Sequence, residues 1–155
     1  MAFRIRGLSP DPFRRLYGLS DAALAAEGVV RHHVAPGAGA PDRVSMRDLA
    51  PGETALLLNY EHLPVDSPYR SRHAIFVAEG AETRYDACDE VPEVMTRRII
   101  ALRGIDGRGH IVTADLAEGA AIAPAIRKML AQEEVAYIHS HYAKYGCFAA
   151  RIDRG

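Results

Sequence analysis

Residues 99–116, IIALRGIDGRGHIVTADL, set two apolar runs on either side of Asp106 and Gly107. A turn-forming pair between strand-forming residues is a strong short-range hairpin signal, so this stretch commits the chain to antiparallel pairing. The pattern recurs. ETALLLNYEH at 53–62 and RHAIFVAEG at 72–80 read as two strands joined by the proline-rich LPVDSPYRS, and EVAYIHSH and CFAARIDR read as a final pair joined by AKYG. AFRIRGL at 2–8 alternates Phe3 and Ile5 with Arg4 and Arg6 as a half-exposed opening strand, and VVRHHVA at 29–35 is another. Helical patterns are fewer. PDPFRRLYGL carries proline in its first turn, SDAALAAEG is capped by Ser20 and ends at Gly28, and EVPEVMTRR starts at Pro92. The clearest helix lies within 118–132, where Ile122, Ile126, Met129 and Leu130 recur at helical spacing. Strands in antiparallel pairs with a few helices between them predict an α+β fold, mainly antiparallel, rather than a doubly wound parallel sheet.

A chain of 155 residues supports one well-buried core, so residues 1–155 are expected to form a single domain. The longest apolar runs, ALLL at 55–58 and AIFVA at 74–78, are too short to cross a bilayer, and the N-terminus lacks the pattern of a secretory signal. Only Cys88 and Cys147 occur, which favours reduced thiols and a cytoplasmic location. A net charge of -1, from 20 acidic and 19 basic residues, gives no reason to expect nucleic acid or a membrane surface as partner. The basic residues are nearly all arginine, Lys128 and Lys144 being the only lysines, so a single arginine carries little information. Oligomeric state is not legible.

The chemistry concentrates at three strand ends. In YIHSHYAKYGCFAARI, Tyr137, His139 and His141 share one strand face. Two imidazoles on one face, with His62 as a third donor, form a candidate site for a divalent transition metal such as zinc or iron; the same histidines serve equally in a metal-free polar pocket. The H-x-H spacing is weak by itself, since no C-x-x-C or H-E-x-x-H accompanies it. NYEH at 59–62 puts Asn59 and Glu61 on one face and Tyr60 and His62 on the other. SPYRSRH at 67–73 adds Tyr69, Arg70, Arg72 and His73 in a loop leading into a strand. The functional assignment makes Glu61, His73 and His141 the proton-transfer groups and gives ligand binding to Asn59, Tyr69 and Arg70, the last through its bidentate fork. The blander assignments are a strand emerging into solvent at 59–62, a hydrogen-bonded core-edge histidine at 73 and a solvated cation at Arg72. Cys147 is near enough to histidine to be a nucleophile, but it opens the apolar CFAARI, where small buried cysteines are commonly inert. Acidic neighbours make Cys88 less reactive still. His32 and His33 point to opposite faces, His110 sits in a hairpin arm, and the glycines at 104, 107 and 109 form a turn rather than a phosphate loop.

The strings LLLNYEHLPVDSPYRSRHAIFV, AYIHSHYAKYGCFAARIDR and FRIRGL together resemble a bacterial family catalogued as domain of unknown function 1203. The resemblance covers essentially the whole chain and implies no established activity, substrate or cofactor. It further implies a cysteine where Asp42 precedes Arg43 and an asparagine where Tyr142 follows His141; these departures weaken any mechanism that needs a third thiol or an amide there.

The expectation is therefore a small cytoplasmic α+β protein with one polar pocket, built from the strand ends at 53–62, 72–78 and 135–141. It binds a small polar or anionic metabolite, with hydrolysis or isomerisation as the chemistry. The rival is a non-enzymatic binding or protein-interaction module in which the same histidines form a structural network.

Overall fold

A computed structural model describes residues 1–155. Nine strands form two antiparallel sheets. The larger draws on both ends of the chain: β1 (Phe3–Arg6), β5 (Asp86–Cys88), β6 (Ile99–Ile105), β7 (Ile111–Glu118), β8 (Tyr137–Tyr142) and β9 (Phe148–Arg154), in the order β5-β1-β9-β8-β6-β7. The smaller is β2 (Val30–His33), β3 (Thr54–Leu63) and β4 (Ser71–Ala78), with β3 central. The strand pairs and the α+β class anticipated from the alternation are present. The short β5 was not anticipated; DAC has no period to read.

The helices are α1 (Asp21–Ala26), α2 (Glu93–Thr96) and α3 (Ile122–Leu130). Ser20 caps α1, its Oγ accepting from the Ala23 N–H at 3.1 Å, which satisfies one of the orphan donors of the first turn. The PDPFRRLYGL segment makes only a 3-10 turn, Arg14–Leu16, rather than a helix. α3 is shorter than the 118–132 stretch because residues 119–121 form a 3-10 turn before it. Its buried Ile122, Ile126, Met129 and Leu130 pack with Ile100, Leu102, Ile138 and Ile152, covering one face of the six-stranded sheet. A second core gathers Leu56, Leu58, Ile75 and Val77 of the small sheet with Phe13, Leu16 and Leu24 of the N-terminal segment.

The β6–β7 turn is built on Asp106, whose carboxylate accepts from the N–H groups of Arg108 (2.8 Å) and His110 (2.9 Å). Gly109, not Gly107, takes the left-handed conformation (φ 80°), and a Cβ there would lie 2.7 Å from Val65. Glycine is required on both counts, and the close approach lets the β3–β4 loop seat on this turn, where Ser67 Oγ donates to the Gly109 carbonyl at 2.8 Å. This contact helps fix the small sheet against the open face of the large one.

Candidate functional site: three imidazoles beside an unpaired arginine

Register decides what meets on the open face of the large sheet. His139 pairs across β8–β6 with Arg103 and across β8–β9 with Arg151; His141 pairs with Ala101 and Phe148. A bulge between Ser140 and His141 inserts Ala149 as an extra β9 residue, so Phe148 comes to lie opposite His141. Ser140 spans the irregularity, its hydroxyl donating to the Ala150 carbonyl (3.0 Å) and accepting from the Ala150 N–H (3.1 Å).

The third imidazole comes from the small sheet. Between Tyr60, which pairs with His73, and Leu63, which pairs with Ser71, β3 carries an irregularity that sets Glu61 and His62 against the single residue Arg72. His62 faces inward. Its ring centroid is 5.0 Å from that of His141 and 6.0 Å from that of His139, and His139 and His141 are 6.4 Å apart. Phe148 packs against all three, stacked on His62 (5.4 Å, 10° between planes) and edge-on to His139 (5.0 Å) and His141 (5.9 Å).

Their electrostatics follow from burial, from one another and from nearby basic side chains, Arg103 among them. Burial first, then Arg103, pushes the His62 pKa down to about 4; burial, then Arg103, takes His141 to about 3. His139 falls to about 3 through burial, then the other two imidazoles. All three are neutral near pH 7. His141 donates from Nδ1 to the Gly146 carbonyl at 2.9 Å, leaving Nε2 as the lone-pair nitrogen, whereas the buried Nδ1 atoms of His62 and His139 have no partner. Arg103 is half-buried, burial pushes its pKa down, and its guanidinium forms no hydrogen bond or ion pair. No carboxylate offsets it. Most other arginines of the chain are committed, as Arg98 is to Asp48 (2.6 Å) and Arg31 to Glu79 (2.8 Å).

The remaining sequence-nominated residues lie elsewhere. Glu61 turns to Arg70 (2.6 Å), and that ion pair holds its carboxyl below the usual range. Asn59 accepts from Arg72. Glu61, Arg70, Ser71 and Arg72 line a shallow depression of about 320 Å3 that contains no imidazole. Tyr69 is exposed, its ring 5.9 Å from His110. The structure therefore does not place Glu61, Asn59, Tyr69 or Arg70 with the imidazoles: strand alternation sends Asn59 and Glu61 to the outer face, and Arg70 is already occupied. His73, half-buried at the inner edge of β4, donates from Nδ1 to the Ala74 carbonyl at 3.0 Å and lies close enough to depress His62 and His141. A metal on His62, His139 and His141 meets two obstacles. The rings pack around Phe148 rather than on a common point, and no group of three His, Cys, Asp or Glu side chains is placed to hold an ion. The cation Arg103 stands beside them.

Sequence reasoning passed over Arg103 and Phe148. In an arginine-rich chain one more arginine carries no signal by type, yet in IIALRGI it is the only charge on a strand, alternating with the buried Ile100 and Leu102. A surface concavity of about 570 Å3 lies away from these groups and is lined by Asp42, Ser45, Arg47 and Glu53 among others. Its principal charges are already satisfied. Asp42 accepts from the N–H groups of Val44, Ser45 and Ala78, and Arg47 binds Glu53 at 2.6 Å.

The chain belongs to the family described as Protein of unknown function (DUF1203), whose model matches residues 39–154. No curated protein and no solved structure matches it. No helix is long and apolar enough to cross a membrane.

Proposed function

We propose that the chain binds a small anionic metabolite at Arg103 and that His62, backed by His139 and His141, exchanges a proton with it. One observation carries this reading: a half-buried guanidinium without any acceptor faces three neutral imidazoles. A buried cation is costly unless paired, and a bound carboxylate or phosphate supplies the missing partner through charge-assisted hydrogen bonds. An anion there also raises the proton affinity of the imidazoles, moving them toward the range useful for general acid–base chemistry such as hydrolysis or isomerisation. Both cysteines are free and Cys88 is exposed, which suits a reducing, cytoplasmic setting.

A second reading has its own support. His139 is 4% and His141 1% exposed, so most of the trio is closed to a ligand, as in a structural network beneath a binding surface; on this reading the chain binds without catalysing.

The test is titration of the protein with acetate and with inorganic phosphate, followed by calorimetry and by the imidazole resonances. Saturable binding that shifts the His62 resonance, and is lost in Arg103→Gln but kept in Arg70→Gln, supports the reading. Equal binding by Arg103→Gln and the unaltered protein rejects it.

A further inference from the structure

Around Arg103 the large sheet is apolar and open. Alternation along β6 sends Ile100 and Leu102 into the core and leaves Ile99, Ala101 and Arg103 on the face that carries the imidazoles. On β7, Ala114 lies opposite Arg103, Leu116 opposite Ala101 and Glu118 opposite Ile99. Ile99 is 52% and Leu116 64% exposed, among the most exposed large hydrophobics of the chain, and Ala114 is exposed as well. Two alanines between Arg103 and the larger Ile99 and Leu116 make a low floor. From Arg103 to Ile99 the strand runs about 13 Å, long enough to carry the whole extended chain of an octanoate.

We propose that the anion is a monocarboxylate with an aliphatic chain, its head on Arg103 and its chain laid over Ala101, Ala114, Leu116 and Ile99. This rests on the anion-binding reading above and names its ligand class. Charge complementarity selects the head group. One guanidinium offers a planar fork that matches the two oxygens and single charge of a carboxylate, and the other cation flanking His139, Arg151, is already paired with Asp153 (2.8 Å) and so does not balance a phosphate dianion. The exposed side chains select the tail, because covering apolar surface is favourable in proportion to the area removed from water.

The experiment compares acetate, butanoate, hexanoate and octanoate by calorimetry on the full chain, with Arg103→Gln, Leu116→Asp and Leu116→Ser alongside and thermal melts to verify folding. A fully buried methylene tightens binding about fourfold, so a chain covered on one side gives roughly twofold per carbon; octanoate then binds at least tenfold tighter than acetate. Leu116→Ser shrinks the octanoate-to-acetate affinity ratio, whereas Leu116→Asp, which sets a carboxylate diagonally across from Arg103, weakens both ligands. If acetate binds through Arg103 but chain length has no effect, the ligand class is wrong while anion binding stands. If no carboxylate binds at any length and phosphate does not bind either, both fall. A concentration-dependent dimer in sedimentation velocity that Leu116→Asp dissolves assigns the face to a second copy and overturns the proposal.

Discussion

Arg43 and Arg103 are both arginines without a carboxylate partner, and the molecule treats them in opposite ways. Arg43 is 1% exposed and fully used: Nε donates to the Phe148 carbonyl (2.6 Å), Nη1 to the Pro41 carbonyl and Nη2 to Cys147 Sγ (3.2 Å), while its guanidinium lies 4.8 Å from the Tyr142 ring centroid. Arg98 approaches the same ring at 5.3 Å. Arg103 is more accessible and has nothing. A cation enclosed by carbonyls, sulfur and an aromatic face is part of the architecture, whereas one that is half-buried and idle is available to a ligand. The same contrast explains Cys147. Its sulfur is an acceptor for Arg43 on the core side of the sheet, away from the imidazoles, so its sequence proximity to His141 does not make a catalytic pair.

The comparison can be broken in four ways. The largest effect is expected from acid. The His139 and His141 pKa values, about 3 when folded, lie below the ordinary 6.5; as pH falls below about 6.5 the unfolded chain takes up protons first, so the stability these groups confer is complete above that pH and drains away toward pH 3. Urea unfolding at pH 7 and pH 4.5 should differ by on the order of 4 kcal/mol, reduced in His139→Gln. A pH-independent midpoint removes the neutral-imidazole assignment. Next, Arg43→Met strands two backbone carbonyls and should cost about 3 kcal/mol in the same assay, without weakening acetate binding through Arg103. Arg103→Gln reverses that profile: anion affinity falls at least about tenfold, or about 1.4 kcal/mol, and unfolding changes by less than about 1 kcal/mol. Should Arg103→Gln prove as destabilising as Arg43→Met, the two arginines are alike and the distinction fails. Smallest is Arg70→Gln, which breaks a solvent-exposed pair with Glu61 and should leave the urea midpoint and anion binding unchanged.

Much of the architecture was readable because it is local. The hairpin around Asp106, the cap at Ser20, the spacing of Ile122, Ile126, Met129 and Leu130, and the shared face of His139 and His141 each follow from residues within one turn or one strand. Alternation in NYEH also separated His62 from Glu61. Less legible was which faces would meet. Glu61 and Arg70 have the chemistry of site residues, yet they satisfy each other on the outside of the small sheet, a pairing visible only once β3 and β4 are in register. Arg103 required the opposite knowledge, that nothing acidic reaches it, and an absence of partners has no sequence signature. Phe148 faces the imidazoles through a one-residue bulge whose extra residue is an ordinary alanine.

The irregularity at Glu61 and His62 also bears on how the protein assembles. Two of the three imidazoles ride on β8, and the third is delivered by a sheet with its own separate core. The trio therefore exists only where the sheets are docked, a non-local contact in contrast to the β6–β7 turn. Because the His62 ring stacks on Phe148, its nuclear resonance reports the contact between the sheets rather than the pairing within either one. A single side chain thus serves as a gauge of tertiary closure, readable apart from secondary structure.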